Sequence, residues 1–222
     1  MGLFWHRLRW RAVATALPAD IPFDLLDVGA GAGFAGEYLR GGFPAARYFF
    51  IEPLASLEAG LVRRFGAERN LGGATAFGGI RFVLLLDVLE HQQDDRTFLR
   101  ELIAKMQPGA TLIVTVPALP WLWSEWDAVL GHFRRYDRAT LRAVLADCPV
   151  RIHDPSYLFP ELVPAGLLRR CLPRGAAGKG SGEFPLLPSA ANALLYWLGR
   201  CSMPVARFLP FGTSLYMRVE KC

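Results

Sequence analysis

The chain has 222 residues, a formal net charge of +5, 52% hydrophobic side chains and 20% charged ones. That length can bury a full α/β core without disulfides or metal, and so rich an apolar content predicts a surface that is covered, bound or touched. The scattered Cys148, Cys171, Cys201 and Cys222 have no spacing suited to a zinc site, a redox pair or a small disulfide framework, which points to a reducing cytoplasm.

Among the first residues, His6, Arg7, Arg9 and Arg11 interrupt the apolar positions, so no secretory signal is read there. His6 stands where a myristoylation site would carry Ser or Thr. The first two-thirds then alternate short apolar runs with longer amphipathic ones, the pattern of strand-helix units on a mostly parallel sheet. Strands are predicted at Phe23–Val28, Arg47–Glu52, Arg81–Asp87 and Ala110–Val116, apolar on both parities as doubly covered strands should be. Helices are predicted at Gly33–Arg40, Leu54–Phe65, Asp94–Met106 and Arg138–Ala146, with a further short strand near Gly73–Phe77. Val150–Phe159 and Thr213–Glu220 read as two more strands. Residues 160–210 between them form an apolar, basic insertion within a single domain, holding a loop at Arg174–Gly182 and a helix at Ser189–Ser202 ended by Pro204.

After the first strand comes Asp27-Val28-Gly29-Ala30-Gly31-Ala32-Gly33. Glycines at such a turn allow a sharp reversal with positive φ and a ligand's approach to bare backbone. A dinucleotide fingerprint would place Gly or Ala where Phe34 stands, which disfavours an oxidoreductase. Glu52, about 20 residues beyond the turn, ends the second strand where a carboxylate can accept from two ribose hydroxyls. This D-x-G-x-G-x-G run resembles the first motif of class I S-adenosylmethionine-dependent methyltransferases. The resemblance implies a Rossmann-like, seven-stranded, mostly parallel sheet with helices on both faces and an antiparallel last strand. It also implies S-adenosyl-L-methionine as cofactor, with Gly29, Ala30, Gly31 and Gly33 near its methionine and ribose, Asp27 toward its amino end, Glu52 on the ribose and Pro53 by the adenine.

The run Phe82–Asp95 resembles the family's fourth motif, which places Leu86, Asp87 and Val88 beside the transferred methyl group. Asp87-x-x-Glu90-His91 resembles the E-x-x-E-H triplet of ubiquinone-pathway O-methyltransferases, which holds a divalent cation, but the first acid is shorter here. These side chains suit a cation, a general base or a tie between helix and sheet; the structural tie is favoured, and no metal ligand is assigned. In residues 117–137, Trp121, Trp123, Trp126, Asp127, His132, Arg134, Arg135 and Tyr136 crowd a connection at the strand ends. His91 and His132 are the candidate bases, supported by Asp127 and Tyr136, while Trp123, Arg134 and Arg135 are candidate acceptor contacts. Packing of the tryptophans and surface pairing of the arginines is the alternative. Something like W-S-x-x-D followed by G-H-x-R-R-Y recurs in bacterial methyltransferase-like proteins of envelope or glycan pathways.

From Pro160 onward there are eight basic and three acidic residues, so the net charge of +5 resides in that segment. Either a solvated basic face or contact with an anionic partner follows. The expected acceptor is a small or lipid-linked molecule, possible anionic character included, methylated at oxygen, with peripheral contact to the inner face of a membrane. No nucleic-acid substrate is expected, since the sequence lacks both an Asn/Asp-Pro-Pro-aromatic motif and the cysteine motif of base methylases. The competing class is a cofactor-binding interaction module without catalysis.

Overall fold

The computed structural model describes residues 3–171, 187–206 and 208–222. Helix α1 (Phe4–Ala14) opens the chain, followed by β1 (Asp24–Val28), α2 (Phe34–Gly42), β2 (Arg47–Ile51), α3 (Ala55–Phe65), β3 (Ile80–Leu86), α4 (Asp95–Lys105) and β4 (Thr111–Pro117). Short helices α5 (Glu125–Val129) and α6 (Arg138–Ala143) lead to β5 (Val150–Ile152) and β6 (Ser156–Leu158). Then α7 (Val163–Cys171) and α8 (Ser189–Ala206) precede the last strand, β7 (Ser214–Lys221).

The sheet runs β2-β1-β3-β4-β7-β5, with β6 also on β7. Pairing is parallel among β2, β1, β3 and β4, and β7 enters antiparallel to β4, β5 and β6. This is the Rossmann-like α/β class. Strand parity divides the core into two layers: Leu26, Val83, Leu85 and Val114 pack toward Leu99 and Ile103 of α4, while Leu25, Leu84 and Ile113 pack toward Leu39 of α2 and Leu61 of α3. Both faces are covered, as the near-continuous apolar strands require.

Among the described residues the sheet has seven strands, but they are not the seven that the sequence predicts. Gly73–Phe77 forms turns instead of a strand, with Phe77 buried and its N–H bonded to the Lys105 carbonyl. Val150–Phe159 supplies two strands instead, broken around Pro155, which has no N–H for a ladder bond. Helix α8 continues through Pro204 to Ala206, although a proline at that position removes one backbone N–H from the helical ladder. The loop predicted at residues 174–182 lies outside the described residues.

Helix α1 is not foreseen from the sequence. Its buried residues Phe4, Leu8, Ala12 and Val13 share one face at helical spacing. Phe4 and Leu8 share a cluster with Leu158 and Phe159. Asn192 of α8 accepts the Phe4 N–H at 2.8 Å, fixing the start of α1 on α8.

Beneath the glycine turn, buried Asp27 accepts a hydrogen bond from the Tyr48 hydroxyl at 2.8 Å. Burial pushes the Asp27 carboxyl up to about 7, Tyr48 draws it down, and the charge of Glu52 raises it. An unfolded Asp ionises near 4, at about 3.9. The raised carboxyl therefore adds stability that is fully present below about pH 4 and is lost as pH rises to about 7. In urea unfolding across that range, the stability of wild type relative to Asp27→Asn should fall with rising pH and level off above about 7. A flat difference would show that Asp27 ionises normally.

Candidate active site

Gly29, Gly31 and Gly33 all have positive φ, at 72°, 55° and 76°. A Cβ on Gly29 would fall 2.6 Å from Cγ2 of Val88, and one on Gly33 would fall 2.7 Å from Cδ2 of Leu61. The turn is thus wedged against β3 on one side and α3 on the other. Gly31 differs, because a Cβ there would meet nothing within 4 Å. Its N–H donates to Oε2 of Glu52 at 2.7 Å, and the Leu54 N–H donates to Oε1 at 2.9 Å. Two backbone donors hold this carboxylate rigid, and each oxygen keeps a lone pair for a further donor. Exposed Pro53 and Leu54 flank it at the strand end.

At the end of β3, Asp87 adopts φ 55°, a left-handed conformation uncommon for a side chain with a Cβ. Its N–H donates to the Thr115 carbonyl at 2.9 Å, Thr115 Oγ1 donates to its carboxylate at 3.0 Å, and Arg9 of α1 forms an ion pair with it. Leu86 precedes it half-buried, and Val88 follows against Gly29. This bend separates the glycine turn from a cavity of about 430 Å³.

Trp5, His6 and Arg9 of α1 form one wall of that cavity, Asp87, Glu90 and His91 a second, and Trp126, Asp127, His132 and Arg135 a third. Asp127, 1% exposed, organises the third wall. Its Oδ1 accepts from Arg135 Nε at 2.7 Å and lies 3.0 Å from His132 Nδ1, while its Oδ2 accepts from Ser124 N and Oγ. Burial raises the Asp127 carboxyl, but the His132 and Arg135 hydrogen bonds outweigh it and leave it below the usual carboxylate range. The rings of His91 and His132 meet edge to face, 4.8 Å between centroids. Burial lowers His91, and the neighbouring His132 lowers it further. Glu90 is 1% exposed, and burial, with Asp87 nearby, pushes its carboxyl well up.

His91, His132, Asp127, Asp87 and Arg135 are therefore brought together, but other residues singled out in the sequence are not. Tyr136 is buried and donates to Asp95 at 2.8 Å, so it braces the β4 connection and does not line the cavity. Arg134 pairs with Asp95 and donates to the Gln93 carbonyl. Trp123 is 37% exposed and outside the lining, which Trp126 joins instead. Trp5, His6 and Arg9 also line the cavity, though no motif in the sequence marks them. His6 stacks on Phe34 at 4.5 Å and is lowered to about 4, by burial first and Arg9 second. The helical spacing of Phe4, Leu8 and Ala12 was the available signal for α1.

Residues 4–148, well over half of the chain, match the family model described as a methyltransferase domain. No curated protein matches the chain. Among solved structures, a chain from the complex of the Haloferax volcanii Trm112 methyltransferase activator with a candidate methyltransferase aligns at TM-score 0.63 and 16% identity, covering 97% of this chain and 90% of that one. Phosphoethanolamine N-methyltransferase 2 of Haemonchus contortus, solved with S-adenosyl-L-methionine, gives 0.59 and 13%, covering 96% of this chain and 52% of that one. A SAM-dependent methyltransferase of Archaeoglobus fulgidus gives 0.56 and 13%, covering 97% and 94%. At these identities the likeness is one of fold. The open space at Gly31 beside the fixed Glu52 carboxylate fits a nucleoside cofactor. With the turn, the sheet order and the domain match in agreement, the chain belongs to the methyltransferase-domain family and is a class I S-adenosylmethionine-dependent methyltransferase.

Proposed function

We propose that the enzyme methylates an oxygen of a small or lipid-linked acceptor bearing an anionic group. The observation that carries this reading is the cavity: it adjoins the cofactor turn across Asp87 and Val88, and it combines aromatic walls with two arginines and three imidazoles. Gly29, Ala30, Gly31 and Gly33 cradle the methionine and ribose, Glu52 receives the ribose hydroxyls, and Pro53 lies by the adenine. Asp27 acts from beneath the turn. Leu86, Asp87 and Val88 border the methyl group. The cofactor supplies a methyl already activated on a sulfonium, so the protein's task is to align the acceptor and exclude water. Trp5 and Trp126 provide apolar walls, Arg135 and Arg9 the cationic side, and the His91–His132 corner, fixed by Asp127, assists loss of the acceptor's proton.

A lipid-linked acceptor is supported by α8. Leu194, Trp197, Leu198 and Val205 are all exposed and, at i, i+3, i+4 and i+11, form one outward stripe, while Gly199 and Ala206 are buried on the other side. Leu167 and Leu168 of α7 are exposed as well, and so are Arg11 of α1, Arg170 of α7 and Arg200 of α8. Among the described residues no helix is long and apolar enough to cross a membrane. The stripe therefore suits a helix lying in the interface, which residues 160–210 would bring to the membrane's inner face.

Methyl-labelled cofactor incubated with lipid, glycan and phenol extracts should give a product whose label survives mild alkali, as an ether does and a methyl ester does not. A protein that binds cofactor yet labels nothing would be an interaction module. Glu52→Ala should weaken binding of the demethylated cofactor about tenfold or more, the loss expected for hydrogen bonds to a charged acceptor. Arg135→Ala should leave that affinity unchanged in calorimetry and lower transfer. In co-sedimentation, anionic vesicles should retain the protein in a salt-sensitive manner, and Trp197→Ser with Leu198→Ser should release it. Equal recovery on neutral vesicles would remove the membrane from the reading.

A further inference from the structure

We propose that Glu90, His91 and His132 form a site for one divalent first-row cation, Zn²⁺ being the reference ion, on the cavity wall. One ligand atom from each of the three lies within 4.8 Å of the others. Tetrahedral bonds of about 2.0–2.2 Å set such donors roughly 3.5 Å apart, so a closure of at most about 1.3 Å by side-chain rotation completes the set. Two imidazoles and a carboxylate suit borderline ions and disfavour hard cations that prefer oxygen alone.

Three independent features point to a ligand. First, Oε2 of Glu90 is buried and has no hydrogen-bond partner, in a side chain 1% exposed. A buried acceptor is seldom left unsatisfied, and a cation would satisfy it. Second, His132 is oriented as metal-bound histidines are: Asp127 engages Nδ1 and leaves Nε2 free, the carboxylate acting from behind the ligand. Third, the Phe133 N–H donates to the Glu90 carbonyl at 2.8 Å, tying the segment that carries His132 to the turn that carries Glu90 and His91. Asp87, which stands where the resemblance to the E-x-x-E-H triplet would put a further ligand, is held by Arg9 and Thr115, and His132 takes that place in the proposed site.

All three residues line the cavity, so the remaining coordination positions face the acceptor. This role rests on the acceptor reading above. A bound hydroxyl would release its proton to solvent water, and its oxygen would then bond the methyl carbon as the carbon–sulfur bond breaks with its electron pair left on sulfur.

The test uses the full chain, stripped with chelator and titrated with Co²⁺. One equivalent should bind with the visible bands of nitrogen and oxygen ligation and without a thiolate charge-transfer band, and Zn²⁺ should displace it. His91→Ala, His132→Ala and the isosteric Glu90→Gln should each weaken Co²⁺ at least about tenfold. Each variant's unchanged affinity for the demethylated cofactor reports an intact fold. Absence of Co²⁺ and Zn²⁺ binding in the wild type, a thiolate spectrum, or equal binding by the double histidine variant overturns the site. Co²⁺ bound without transfer to any hydroxyl supports the site and overturns the oxygen-acceptor reading instead.

Discussion

The close approach of β3 to the glycine turn governs the rest of the structure. Val88 occupies the volume that a side chain on Gly29 would need, so the turn and the end of β3 share a single bend. Parallel pairing of β1 with β3 brings both strand ends to the same edge of the sheet. Ligands collect there in open α/β sheets because the connections splay apart and leave a crevice. Asp87 stands at that border in a left-handed conformation, kept there by its N–H bond to Thr115 and by Arg9. Strain of this kind persists only where several contacts impose it together.

The cavity beyond the bend owes its character to burial of charge. In a poorly solvated wall an unpaired ion is costly, so charged groups are either matched or neutral. Asp127 is matched by Arg135, His132 and Ser124, and Asp87 by Arg9 and Thr115. Glu90 lacks such a protein partner for Oε2, and in the same lining Nε of Arg9 is also buried without a hydrogen-bond partner.

Helix α1 links this chemistry to the outer surface. One face contributes Trp5, His6 and Arg9 to the cavity, and its start is bonded to α8, whose opposite side carries the exposed apolar stripe. Contact of α8 with a surface would thereby be felt one helix away from the acceptor. Packing between helices transmits such displacements because interiors have few voids to absorb them.

The sequence by itself determined what local chemistry dictates. The glycines at 29, 31 and 33 announce positive φ, which few other residues adopt cheaply, and Glu52 follows at a distance set by one helix and one strand. Apolar runs on both parities announce strands covered on both faces. The break at Pro155 was there to be read, since proline cannot donate to a ladder, whereas the loss of a strand at 73–77 depends on how Phe77 plugs the core. Which arginine of the pair 134–135 faces the cavity, why Tyr136 turns away to Asp95, and how His132 meets Glu90 and His91 were decided only by tertiary structure. Those relations span tens of residues, and the direction of a side chain in a connection follows from what packs against it, not from its neighbours in sequence. Arg9 shows this most clearly: nothing local marks it, and only the docking of α1 carries it to Asp87, far along the chain.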